Sequence, residues 1–297
     1  CALPILAPGT RRSALATRIS EDSAMKILVC TDGSPGSLAV LPHAGRFASA
    51  VGAEIVLTRV LDPRVDAAAV VSPSLEAAVT TVQTSWEAGL REVLSAAGLS
   101  GSVMVPRRAW GKEVADAIHL AADETEAAMV AISSRGSGAV RHALFGSVAL
   151  GVISRADLPV MTLAGDPPMR EASGPYHIVV TSDGSADAKS IFPGISALLI
   201  PGKTKVTIVE VATMKAQESE AEAIERTRPG IEALLARVTA GVEASTHVRV
   251  VPAGAAIDLA VIAAADSLGA DAIASATHGH SAQRRLIAGS TALGIVA

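Results

Sequence analysis

KILVCTDGS at residues 26–34 and HIVVTSDGS at residues 177–185 are two versions of one pattern, a short apolar run closed by Asp-Gly-Ser. The run is nearly continuous instead of alternating, as in a parallel strand covered on both faces. Asp32 and Asp183, 151 residues apart, then fall at the C-terminal end of that strand. Working outward, EIVLTRVLD (54–62) returns as KVTIVEVAT (205–213) at the same offset. VPRRAWGKEVADAI (105–118) is echoed by VVPAGAAIDLAVI (250–262), with Gly111 and Gly254 only 143 residues apart. SSRGSGAVRHALFGS (133–147) returns as ATHGHSAQRRLIAGS (276–290), also at 143. The first half therefore carries eight extra residues between its second strand and Gly111. A repeat of this length means two homologous domains, not a solenoid of short units.

Each half alternates strand and helix. In the first, Ser37 to Val51 is Ala-rich and helix-compatible, with Pro42 set to kink or restart it. TTVQTSWEAGLREVLSAAG (80–98) has helical spacing and ends on a glycine suited to a C-terminal cap. SVMVPRR, AAMVAIS and LPVMTL (158–163) supply further strands, with KEVADAIHLAADE and SVALGVISRA as helices. The order βαβαβαβαβ predicts an α/β fold: two tandem doubly wound domains, each with a five-stranded parallel sheet and helices on both faces. The expected domains are residues 25–163 and 176–297, joined by the linker AGDPPMREASGP (164–175). Ala297 corresponds to Ser154, so the counterpart of LPVMTL is missing from the second domain, and we expect the natural chain to continue. Residues 1–24 have no long apolar segment of a signal peptide, and Met25-Lys26 directly precedes the first strand. We read them as an N-terminal extension, a leader or tag, outside the fold.

Composition narrows the function. Of 297 residues 49% are apolar and 18% charged, enough for a packed core and no signature of disorder. Aromatic residues are only 2%, too few for a base-stacking platform, and a net charge of −4 argues against a phosphate-backbone footprint. We therefore expect no nucleic-acid partner. No apolar stretch is long enough to cross a membrane. Cys1 and Cys30 cannot form a disulfide framework, and Cys30, closing an apolar run, reads as a buried strand residue in a reducing, cytoplasmic setting.

The longest repeated segment carries the chemistry. Gly136 and Gly279 follow apolar strands, and nine residues later Gly146-Ser147 and Gly289-Ser290 precede apolar helical runs. Such a segment joins the C-terminal end of a strand to a helix N-terminus, at the edge where open parallel sheets bind ligands. Glycine permits close approach of the backbone, and a helix start offers unpaired N–H groups and positive dipole, together a phosphate cradle. The plainer alternative is that these glycines only make turns. There is no G-x-x-x-x-G-K-[ST] phosphate loop, and no G-x-G-x-x-G follows a strand.

Asp-Gly-Ser after strand one, with a variant of G-x2-G-x9-G-[ST] after strand four, resembles universal stress protein domains in tandem. The resemblance spans nearly all of residues 25–297. It implies pairing of domains through their last strands, a possible homodimer, and, in the nucleotide-binding branch, ATP with Mg. Position by position it implies that Asp32 and Asp183 contact the adenosine end, and that the backbones of Val60 and Val211 touch adenine. Ser133, Ser134, Arg135, Gly136 and Ser137, with Gly146, Ser147 and Val148, would hold ribose and phosphates. In the second domain Ala276, Thr277, His278, Gly279 and His280, with Gly289, Ser290 and Thr291, would do the same. Both copies depart from the pattern, because the first glycine of G-x2-G is Ser133 in one and Ala276 in the other. A positive φ there would strain either residue, and only serine adds a hydroxyl, so the first site is expected to bind more strongly.

Other candidates carry less. The lone H-x-H of His278 and His280 is poor metal-site evidence, and no metal site is expected. ESEAEAIER (218–226) reads as an exposed helix face, and no catalytic constellation can be placed from residue order. The function expected is an adenine-nucleotide-binding stress or signalling module with no catalytic residues. The alternatives are a nucleotide-free dimerising scaffold of the same fold and a slow ATP hydrolase.

Overall fold

The computed structural model describes residues 3–7, 24–134, 146–155, 157–163, 169, 174–182, 191–276 and 294–295. Ile19–Ala156 form one compact unit, and Cys1–Arg18 with Asp157–Ala297 form the other. The first strand along the chain, β1 (Leu3–Ala7), belongs to the latter.

In the unit Ile19–Ala156, β2 (Lys26–Cys30), β3 (Glu54–Thr58), β4 (Gly101–Met104) and β5 (Met129–Ser133) form a parallel sheet in the order β4-β3-β2-β5. Its helices are α1 (Pro35–Leu38), α2 (Val40–Val51), α3 (Leu75–Ala96), α4 (Val114–Glu124) and α5 (Ser147–Arg155). Consecutive residues Ile27, Leu28 and Val29 are all fully buried, as the continuous apolar run requires of a strand covered on both faces. Cys30 is buried too, and burial pushes its thiol up to about 12. The helix after Asp-Gly-Ser breaks at Ala39 and restarts, leaving Pro42 in the first turn of α2, where a missing N–H leaves no bond unmade. Ser74 caps α3, accepting from the Ala77 N–H, and Gly98 follows its end with φ of 64°.

In the other unit the elements are β6 (Val160–Leu163), β7 (Tyr176–Ser182), α6 (Ile191–Ile195), β8 (Thr204–Thr213), α7 (Glu220–Leu235), β9 (Glu243–Val251), α8 (Ile257–Ser267) and β10 (Ala272–Ala276). β10, β7, β8 and β9 are mutually parallel in that order, the same arrangement as β5, β2, β3 and β4. Val179, Val209, Val261 and Ile273 pack with Ile295 in one core cluster. Among the described residues the second half thus has four parallel strands of its own. ESEAEAIER opens α7 with Glu220, Glu222 and Glu225 exposed and a capping box between Ser219 and Glu222, while Glu218 is part-buried against Arg226.

The halves diverge where the sequences do. The first half takes sixteen residues to pass from Thr58 to Leu75, against six from Thr213 to Glu220, and α3 has 22 residues to the 16 of α7. α2 runs for 12 residues, whereas α6 stops at Ile195 and gives way to a 3-10 turn at Ser196–Leu198. Within the N-terminal stretch 1–24, Leu3–Ala7 is a strand. β1 pairs parallel with β10 and antiparallel with β6.

Candidate functional site

The C-terminal ends of β2, β3 and β5 bring the first half's candidate residues to one sheet edge. After β2 the chain is fixed by hydroxyls. Thr31 and Ser37 share a hydrogen bond of 2.6 Å, the Gly33 N–H donates to Thr31 Oγ1, and the Asp32 N–H donates to Ser37 Oγ. Ser34 closes the turn by donating its N–H to Asp32 Oδ1 at 2.9 Å. One carboxylate oxygen of Asp32 is thereby anchored within its own turn, which sets the direction of the group. Gly33 has φ of 89°, a conformation that favours glycine, and a Cβ there would lie 2.7 Å from an Arg59 guanidinium nitrogen that would have to move aside.

Val60 lies just past β3. On the β4 side the Arg59 N–H donates to Met104 O and the Leu61 N–H to Pro106 O. On the β2 side the last bond is from the Thr31 N–H to Thr58 O, because β2 turns away at Asp32. The Val60 N–H and C=O therefore face that side beyond the end of β2, and have no hydrogen bond among the described residues. A donor and an acceptor side by side suit the edge of a purine ring. Val211 is placed alike, one residue beyond the last β8 residue paired with β7.

At the end of β5, Ser133 and Ser134 are both buried, and among the described residues the Ser134 hydroxyl has no hydrogen-bond partner. A buried hydroxyl is costly to leave unsatisfied. The Gly146 N–H donates to Ser134 O at 2.8 Å, tying the two ends of the glycine segment together directly before α5. Ser147 and Val148 form the first turn of α5, whose free N–H groups carry the positive end of the helix dipole. Neither Ser133 nor Ala276 adopts a positive φ, so their replacement of glycine introduces no backbone strain.

Of the residues singled out in the sequence, Asp32, Val60, Ser133, Ser134, Gly146, Ser147 and Val148 converge on this edge. Arg135, Gly136 and Ser137 lie outside the described residues. So do Asp183, Thr277, His278, Gly279, His280, Gly289, Ser290 and Thr291, leaving Val211 and Ala276 to mark the second edge. No group of His, Cys, Asp or Glu suited to a metal ion occurs among the described residues.

Two residues at this edge carry a signal the motif search passes over. The Arg59 guanidinium stacks on Trp86 of α3, 3.4 Å from the ring centroid. Burial lowers its pKa, while Asp66 and Asp32 act in the opposite direction. At the repeat offset of 151 its counterpart is Glu210, buried and accepting from Ser182 Oγ at 3.3 Å. Ser182 is itself the counterpart of Thr31, so one position bears opposite charge in the two halves. Laying the two β-strand copies over one another reveals this reversal from sequence alone.

Comparison with known proteins bears on the first half directly. The model of the universal stress protein family matches residues 24–163. This segment is a universal stress protein domain. The whole chain, second half included, resembles the structure of a universal stress protein from Archaeoglobus fulgidus, at 21% identity and a TM-score of 0.60. The match covers 91% of this chain and 94% of that one. A putative universal stress protein from Pseudomonas aeruginosa matches at 15% identity and a TM-score of 0.53, over 92% of this chain and 90% of that one. At these identities the likeness is one of fold, and it extends the architecture of the universal stress protein domain across both halves. No curated protein matches the chain. Among the described residues no helix is long and apolar enough to cross a membrane.

Proposed function

We propose that the universal stress protein domain binds an adenine nucleotide, ATP by preference, and that the chain works as a nucleotide-responsive module. The observation that carries this is the convergence of unsatisfied groups at one sheet edge: the Val60 peptide and the buried Ser134 hydroxyl, with Asp32 beside them. In this reading Val60 receives the adenine edge and Asp32 accepts from a ribose hydroxyl. Ser134 and the N-terminus of α5 meet the phosphates. Binding at this edge needs no rearrangement of the frame, since the turn at Asp32 and the clasp between Ser134 and Gly146 are already formed. The second half is proposed as the weaker site, because its edge carries the buried carboxyl of Glu210 where the first half has Arg59.

The test is the nucleotide content and stoichiometry of the purified chain, read by native mass spectrometry, together with its melting temperature in ATP with magnesium. A ligand that binds only the folded state stabilises it by about 2.7 kcal/mol at a hundredfold excess over Kd. We expect retained or added ATP at one tight site per chain, and at least a tenfold weaker affinity in Asp32→Ala. Neither retained nucleotide nor a rise in melting temperature would end the proposal.

A further inference from the structure

We propose that Leu3–Ala7 is the fifth strand of the second half, a donor strand that fills the edge of β10 on the side away from β7. Three observations carry this. First, β1 lies parallel to β10 over its full length, with Leu3 opposite Ala272 and Ala7 opposite Ala276. Second, Leu3-Pro4-Ile5-Leu6 repeats the pattern of Leu158-Pro159-Val160-Met161, which leads into β6, the strand that follows α5 in the first half. Third, aligning those two stretches matches Ile5 with Val160 and Leu6 with Met161, while the observed antiparallel pairs are Ile5 with Met161 and Leu6 with Val160. Each residue therefore faces the counterpart of its neighbour, the relation two equivalent strands have when they meet across a two-fold axis. A chance apolar segment laid against an open edge has no reason to adopt that register.

The physical motive is the edge itself. Without β1, one side of β10 presents a row of unpaired N–H and C=O groups, a template for association with other chains. With it, β10 lies between β1 and β7, and pairing runs up to Ala276, where the second glycine segment departs. The slot accepts one kind of partner: a short apolar strand entering parallel to β10. The occupant is this chain's own Leu3–Ala7, donated from the other end of the sequence.

Two measurements on the full-length chain decide it. Hydrogen exchange should show the amides of 3–7 protected together with those of 272–276. A paired-cysteine chain, Ile5→Cys with Met161→Cys in a Cys1→Ser background, should form a disulfide under mild oxidation, since cross-strand neighbours lie at a separation a disulfide spans. The pair Leu6→Cys with Val160→Cys serves as the second version, should loss of the buried Met161 side chain unfold the first. A cross-linked monomer on a non-reducing gel supports the inference. A disulfide-linked dimer overturns it in favour of strands exchanged between copies. Failure of both pairs to cross-link, or amides at 3–7 exchanging at free-peptide rates, overturns it altogether.

Discussion

The two halves share a sheet order and differ at the edge where a ligand would bind. In the first, Arg59 rests on Trp86 beside Asp32, and Thr31 is bonded to Ser37. In the second, Glu210 replaces that cation and is bonded to Ser182. The strands beneath are built alike, so the difference lies in which side chain stands at the one equivalent position, just past β3 in the first half and inside β8 in the second. A duplicated frame can keep its core while its two edges take on opposite charge.

The most direct way to break this comparison is to exchange the charges. Arg59→Glu is expected to weaken ATP binding at the first half roughly 10–100-fold, about 1.4–2.8 kcal/mol, by setting a second carboxylate near Asp32. Glu210→Arg is expected to raise occupancy of the second half. Equilibrium dialysis with ATP and with uncharged adenosine reads both effects. Unchanged ATP stoichiometry in both variants would remove the charge reversal as the reason the halves differ.

A subtler pair of substitutions tests how far the likeness runs. Gly151 of α5 approaches α4 so closely that a Cβ would stand 3.0 Å from the Ala115 methyl, and Gly294 approaches the Asp258 carboxylate of α8 closer still. Both glycines and both facing residues are related by the offset of 143. Gly151→Val and Gly294→Val should each destabilise by about 1–3 kcal/mol through overpacking. Chemical denaturation followed by hydrogen exchange would assign each loss to its own half. If Gly294→Val were neutral, the helix contact would not be shared by the two halves.

The smallest expected effect is one of pH. His177 is buried at the start of β7, its Nε2 2.8 Å from Thr207 Oγ1, whereas its counterpart in the first half is Lys26. Burial, with Lys205 nearby, lowers the imidazole pKa below its ordinary value. The unfolded chain then holds the proton more tightly, so this contribution is present in full above about pH 6.5 and is lost as pH falls toward the folded value. Exchange protection of β7 and β8 should fall between pH 7 and 5 while that of β2 and β3 holds, and His177→Gln should flatten the difference.

The parallel sheet was legible because its strands are continuous apolar runs at fixed offsets, and burial of Ile27, Leu28 and Val29 follows from that pattern. Pro42 was legible as a restart of α2. The edge residues were reached through Asp32, Ser134 and Gly146, which stand in a recognisable spacing. Arg59 and Glu210 were not, since a single charged residue in an apolar run stands out only when the two copies are laid over one another position by position. β1 was missed for a different reason. Its partner β10 lies some 270 residues away, and pairing at that distance leaves no local period to find.

The bond from the Gly146 N–H to the Ser134 carbonyl has a consequence for how such a site changes over time. It joins the ends of an eleven-residue stretch, 135–145, so the entropy of closing that loop is met by the frame and not by the ligand. Substitutions between the two ends then alter what is bound without loosening β5 or α5. The two copies already show this latitude, keeping Gly-x9-Gly-Ser while exchanging nearly every residue between. A fixed clasp of this kind leaves the sequence between its ends free to vary while the frame stays the same.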